Sequence, residues 1–243
     1  MNALAIGYES EALFAKATQL QEQLHLPIDN HAQQQLLVTA DRLELKMGNF
    51  AALFADFSSK TWQKRRDAGK KQGLVRACKP GPGVKVIDLT AGWGRDAAVL
   101  ASFGAEVLML ERNPVMAVLL RDALERQDEH SKEVLKLKLC HVDALDYLRH
   151  LEEKDHPDVI YIDPMHPQRN KSALVKKDMQ ALQQLIGADS DVLELLEFAV
   201  TKVLKRVVIK WPQHLPPLLK PTSSVSGKTV RFDSYNPLSF SEN

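Results

Sequence analysis

The chain has 243 residues, 44% of them hydrophobic and 26% charged, the proportions of a globular protein with a sizeable core and not of a disordered, collagen-like or low-complexity chain. No apolar run reaches the roughly 18 residues that a membrane span needs, and Glu9 and Glu11 stand where a signal peptide would carry Lys or Arg, so a cytoplasmic protein with no membrane partner is expected. The net charge is only +1, yet residues 60–79 hold eight basic side chains against Asp67, a local +7 that leaves −6 on the rest; such a concentration suits a polyanion, the alternative being a solvated helix face.

In chain order, residues 9–23 read as a helix, 36–38 and 43–47 as short strands around a turn, and 52–57 as a further strand. Residues 60–73 have helical composition and end in glycine, placing the basic cluster between two parts of the chain. The run Lys79-Pro80-Gly81-Pro82-Gly83 interrupts any regular element. It predicts a boundary between a small N-terminal α/β subdomain, residues 1–80, and a larger domain, residues 81–243.

Beyond the break, strand and helix alternate: a strand over 84–89, a glycine-containing turn, and a helix over 94–103 stopped by Gly104. A second strand covers 106–110, and Asn113-Pro114 supplies an N-cap and a first-turn proline for a helix to about 127. A third strand covers 135–140, followed by a short helix over 143–150. The fourth strand, 158–162, is mostly apolar and runs into Asp163-Pro164-Met165-His166. Helices over 172–185 and 191–202, a strand over 206–210, a proline-rich stretch and a hairpin closing at 229–235 complete the chain. This alternation implies a largely parallel sheet with right-handed crossovers, whose ligands bind at the carboxyl ends of the strands. Cys78 and Cys140 lack metal-ligand spacing and read as buried reduced thiols, and no metal is expected.

Residues 88–97, Asp-Leu-Thr-Ala-Gly-Trp-Gly-Arg-Asp-Ala, place Gly92 and Gly94 where the backbone must approach a ligand, with Arg95 and Asp96 opening the next helix. Gly92, Gly94 and Ala97 also satisfy the dinucleotide pattern, with Glu111 where a ribose-binding acid belongs, so an NAD(P)-dependent oxidoreductase is one alternative. Asp88 argues against it, because a carboxylate beside the turn would repel a pyrophosphate. The same carboxylate suits S-adenosylmethionine, whose sulfonium and ammonium are cationic, while Glu111 accepts from its ribose hydroxyls. Asp143, after the third strand, lies where an adenine contact belongs and equally suits an N-cap.

Asp163-Pro164-Met165-His166 is similar to the Asn/Asp-Pro-Pro-aromatic motif of methyltransferases that act on amino nitrogens, with Met165 in place of the second proline and His166 in place of the aromatic. An exocyclic base amine is a poor nucleophile because its lone pair is delocalised into the ring. Asp163 and the carbonyl of Pro164 would accept its N–H bonds and draw the nitrogen toward a pyramidal shape, with His166 stacking on the base. Lys60, Lys64, Arg65, Arg66, Lys70 and Lys71, with Arg169, Lys171, Lys176 and Lys177 beyond the motif, are candidate RNA phosphate contacts. Trp62 and Trp211 are either base-stacking residues or buried aromatics.

With these residues assembled, the chain resembles the ribosomal RNA small subunit methyltransferase J family. The resemblance runs from about residue 56 to 235 and includes the 88–97 run, Met-Leu-Glu-Arg-Asn-Pro from Met109, Asp-Pro-Met from Asp163, and Lys-Ser-Ala-Leu-Val-Lys-Lys from Lys171. It implies a Rossmann-like S-adenosylmethionine-dependent methyltransferase fold, a largely parallel seven-stranded sheet with a C-terminal antiparallel hairpin. The implied activity is methylation of the exocyclic N2 of a guanine in 16S ribosomal RNA, naked or in the small subunit; separately, the chain is expected to act as a monomer. The implied cofactor contacts are Arg95, Asp96, Glu111, Arg112, Asp143, Ala144 and Asp163. A non-catalytic RNA-binding protein on the same fold is the other alternative.

Overall fold

The computed structural model describes residues 4–48, 51–67, 72–165 and 191–238. Near the N-terminus, β1 (Ala5–Tyr8) pairs in parallel with β2 (Gln34–Val38), which pairs antiparallel with β3 (Leu43–Met47). β1 is absent from the sequence reading because four residues, Ala-Ile-Gly-Tyr, show no alternation. The helix expected over 9–23 is a 3-10 turn, Glu11–Leu13, that continues as α1 (Phe14–Leu24).

The strand expected over 52–57 does not form; only Leu53 bridges Leu45. The Asp56 carboxylate instead accepts from the Ser58 amide at 2.9 Å and from the Thr61 hydroxyl. These local bonds turn the chain into α2 (Ser59–Asp67) in place of a ladder. The helix expected over 60–73 also divides, since Gly73 opens α3 (Gly73–Cys78) and closes nothing.

The large sheet has the order β6-β5-β4-β7-β8-β10-β9 among the described residues. Its parallel strands are β4 (Lys85–Asp88), β5 (Glu106–Glu111), β6 (Lys136–His141), β7 (Val159–Ile162) and β8 (Arg206–Pro212). β10 (Val230–Tyr235) inserts antiparallel between β8 and β9 (Ser223–Ser226). The crossover helices are α4 (Arg95–Ser102), α5 (Pro114–Glu125), α6 (Glu129–Val134), α7 (Ala144–His150) and α8 (Val192–Ala199). The helix expected over 172–185 lies outside the described residues.

The caps explain several boundaries. Asn113 Oδ1 accepts from the amides of Val115 and Met116, with Pro114 at the first helical position. Asp128 Oδ1 likewise accepts from the Ser131 amide at 2.8 Å and starts α6, an element too short to show a helical period. Asp143 caps α7 through bonds from the Leu145 and Asp146 amides.

Both faces of the sheet are covered, and the strands show it by alternation. Val86, Val159 and Tyr161 belong to one buried cluster, while Ile87, Ile160 and Ile162 belong to the other. The first cluster also contains Leu36, Leu45, Trp62, Leu119 and Leu120, so the N-terminal sheet shares its core with the larger part of the chain. Asp122 of α5 accepts from the Leu43 amide at 3.1 Å and from Arg126, whose guanidinium also donates to the Ala55 carbonyl. Cys78 is buried as expected, whereas Cys140 is only half-buried because it lies on the edge strand β6.

Beyond β8 the chain is braced by β10. Arg231 pairs with the fully buried Asp233 at 2.8 Å and donates to the carbonyls of Pro212, Gln213 and Leu215. Trp211 donates to the Pro216 carbonyl at 2.8 Å. Among the described residues no helix is long and apolar enough to cross a membrane.

Candidate active site

Strand order reverses at β4, whose neighbours are β5 and β7. That is the switch point at which an open α/β sheet binds its ligand. The adjacent carboxyl ends of β5, β4, β7 and β8 deliver Glu111, Asp88, Asp163 and Lys210 to one edge. Glu111 ties the glycine turn to its neighbour strand: Oε2 accepts from the Gly92 amide at 3.1 Å and Oε1 from the Asn113 amide at 2.8 Å. Gly94 has φ +68°, and a Cβ there would stand 2.5 Å from the Phe57 ring. The irregular segment before α2 therefore shapes the turn.

Asp88 is 1% exposed, and its Oδ1 accepts from the Thr90 amide at 3.0 Å. The Thr90 hydroxyl in turn accepts from the Asp163 amide at 2.7 Å, which links the ends of β4 and β7. Burial raises the Asp88 carboxyl to about 8, against the pull of the Thr90 amide and with further upward push from Asp96, Asp163 and Glu111. A buried carboxyl among other carboxylates fits a cationic ligand and opposes a pyrophosphate. The donor set therefore suits S-adenosylmethionine.

Asp96 is the hub of a second network. Its Oδ1 accepts from Arg65 Nη2 at 2.6 Å, and its Oδ2 accepts from the Tyr161 hydroxyl at 2.7 Å and from Lys210 Nζ at 3.3 Å. Burial would raise this carboxyl, but Lys210, then Arg65 and the Tyr161 hydroxyl, bring it down to about 2. Lys210 Nζ also donates to Asp163 Oδ2 at 2.7 Å. Burial and Asp96 lift the Asp163 carboxyl to about 6 despite Lys210 and Arg65. The same two acids outweigh burial on Lys210 and raise its ammonium above the ordinary lysine range. Tyr161 is pushed well above its usual value by burial and by Asp96, so its hydroxyl stays a donor.

The expected site residues divide accordingly. Asp88, Gly92, Gly94, Asp96, Glu111 and Asp163 gather at the switch point, while Arg95 is exposed at the start of α4. Arg112 pairs with Asp191 at 3.3 Å. Asp143 and Ala144 form the N-terminus of α7, with Asp143 acting as its cap. Pro164 and Met165 are buried, and His166 lies outside the described residues.

Lys60, Lys64 and Arg66 are exposed on α2, whereas the guanidinium of Arg65 is committed to Asp96. Lys70, Lys71, Arg169, Lys171, Lys176 and Lys177 lie outside the described residues. Trp62 and Trp211 are both buried, with Trp62 donating to Ser131 at 2.9 Å. Sequence reasoning missed Lys210, Tyr161 and Thr90. A lone lysine after Val207-Val208-Ile209, in a strand next to that of Asp163, is the signal that marks Lys210.

Comparison with known proteins decides the family. Residues 19–237 match the family described as "Putative SAM-dependent methyltransferase". A Legionella pneumophila (strain Lens) protein named ribosomal RNA small subunit methyltransferase J is 59% identical over 239 residues, 98% of each chain. The chain belongs to the ribosomal RNA small subunit methyltransferase J family. A methyltransferase J from Coxiella burnetii (strain Dugway 5J108-111) is 45% identical over 248 residues, covering 96% of this chain and 97% of the relative. The crystal structure of a SAM-dependent methyltransferase from Neisseria gonorrhoeae superposes with a TM-score of 0.72 at 28% identity, covering 98% and 97% of the two chains. Methyltransferase J chains use S-adenosylmethionine, and the oxidoreductase and non-catalytic alternatives are not favoured.

Proposed function

We propose that this methyltransferase transfers a methyl group from S-adenosylmethionine to the exocyclic N2 of a guanine in 16S ribosomal RNA, as a cytoplasmic monomer and without a metal. The meeting of Asp88, Glu111 and Asp163 at one switch point carries this reading. The names of the relatives supply the RNA class.

Glu111 would hold the ribose of the donor, Asp88 its ammonium, and the turn at Gly92, Gly94, Arg95 and Asp96 its backbone-facing side. Arg112, Asp143 and Ala144 would border the adenosine. Asp163 and the Pro164 carbonyl would accept the amine N–H bonds, and His166 would stack on the base. When bound, S-adenosylmethionine supplies an electrophilic methyl carbon: its bond to sulfur breaks, the electron pair stays on the thioether, and the nitrogen lone pair forms the new bond. Asp163 then takes the proton that the methylated nitrogen sheds and passes it to water.

Residues 1–80, an N-terminal subdomain sharing the core of the methyltransferase domain, would present Lys60, Lys64 and Arg66 to RNA phosphates, joined by Lys70, Lys71, Arg169, Lys171, Lys176 and Lys177. The test is transfer of labelled methyl to 16S RNA or small subunits from cells lacking the gene, followed by mapping of the nucleotide. Label on a guanine N2 is the expected result. RNA binding without transfer would make the protein a non-enzyme, and NADH binding in place of S-adenosylmethionine would make it an oxidoreductase.

A further inference from the structure

We propose that Lys210 is a positioning residue for methyl transfer, fixing the Asp163 carboxylate so that its other oxygen faces the target amine. The proposal rests on the reading above, in which Asp163 accepts the amine N–H.

The argument begins with what Asp163 needs. To accept from an amine whose lone pair is tied into a ring, the carboxylate must be ionised and held in one rotamer. Left among acids it would be neither. Asp96 from α4 adds negative potential to it, and Asp88 at the end of β4, linked to it through Thr90, adds more once ionised. Lys210 from β8 and Arg65 from α2 face it with the opposite sign. Tyr161, two residues earlier on β7, directs its hydroxyl to Asp96 and donates nothing to Asp163.

The geometry shows how the balance is struck. Lys210 Nζ reaches Asp163 Oδ2 at 2.7 Å and Asp96 Oδ2 at 3.3 Å, so one ammonium bridges two carboxylates from different elements. Asp96 is fixed independently by Arg65 and Tyr161. It anchors the ammonium, and the ammonium anchors Asp163. Among the described residues Asp163 Oδ1 takes no hydrogen bond, and the Asp163 amide is held by Thr90. One carboxylate oxygen is thus spoken for and the backbone is pinned, which leaves the second oxygen for an N–H of the substrate. Lys210 stays charged throughout: the proton shed by the amine goes to Asp163 and then to water.

Substitution of Lys210 separates positioning from mere structure. Lys210→Met should lower kcat/KM for RNA by at least a hundredfold and move the acidic limb of its pH profile upward by one unit or more, with S-adenosylmethionine affinity within about threefold of the parent. Lys210→Arg, which keeps charge and donors, should restore most of the activity and the original limb. Should the Met variant fold poorly, Lys210→Gln retains a donor without the charge and should show the same shifted limb. Parent-like turnover with an unmoved limb would overturn the proposal, as would an activity loss matched by an equal loss of cofactor affinity. Asp163→Ala separates the two levels: parent-like transfer in that variant sinks the role of Asp163 itself. Lost transfer there, with an unshifted Lys210→Met, sinks only the role of Lys210.

Discussion

Arg65 and Asp96 lie 31 residues apart in sequence and 2.6 Å apart in space. This ion pair connects α2, the helix that carries Lys60, Lys64 and Arg66, to the first turn of α4. It separates Arg65 from its neighbours in chemistry, because its guanidinium already donates to the half-buried Asp96 carboxylate.

Lys64→Ala and Arg65→Ala should therefore fail in different ways. Loss of Lys64 should weaken RNA binding and reduce the slope of log affinity against log salt by about one, with cofactor binding intact. Loss of Arg65 should leave the salt slope unchanged and cost about 1 kcal/mol of stability, a figure held down by the partial exposure of the arginine. Equal salt slopes for parent and Lys64→Ala, or a reduced slope for Arg65→Ala, would contradict this division.

Cofactor binding should release a proton. The Asp88 carboxyl, raised to about 8, is protonated at pH 7 in the free protein and must ionise to face an ammonium. Calorimetry at pH 7 in two buffers of different ionisation enthalpy should count close to one proton released by the parent and close to none by Asp88→Asn. The same count for both would remove Asp88 from the ammonium site.

Without cofactor, Asp88→Asn should gain stability relative to the parent as pH rises. The folded chain retains at Asp88 a proton that the unfolded chain releases near 3.8, so this group costs the parent progressively more between about pH 4 and about pH 8. Urea denaturation should show the gap widening toward at most about 1.4 kcal/mol per pH unit in that window and levelling above it. A gap independent of pH would mean that the native carboxyl is not raised.

Gly94→Ala should destabilise the protein by about 2–4 kcal/mol, combining a left-handed backbone with overpacking against Phe57. Chemical denaturation measures it. A cost below about 1 kcal/mol would show that the ring of Phe57 yields.

The architecture was legible because alternating buried strands and capped helices announce themselves locally. Asn113-Pro114 marks a helix start in any fold, and Asp158 to Ile162 reads as a central strand from its composition. Asp88, Glu111 and Asp163 were found because a parallel sheet always brings strand ends together. What stayed hidden depends on which partners individual side chains choose. Nothing around Arg65 reveals Asp96, and the side chain of Asp56 overrides a plausible strand at 52–57 through bonds that strand propensity ignores.

A sheet ordinarily frays where a strand leaves it, yet β8 ends under a guanidinium that collects three carbonyls of the departing turn. Arg231 has its own buried counter-ion, so this clasp needs no visitor to close it. The turn that follows Lys210 on β8 is consequently set in advance, and a substrate seated against it would have less ordering entropy to supply.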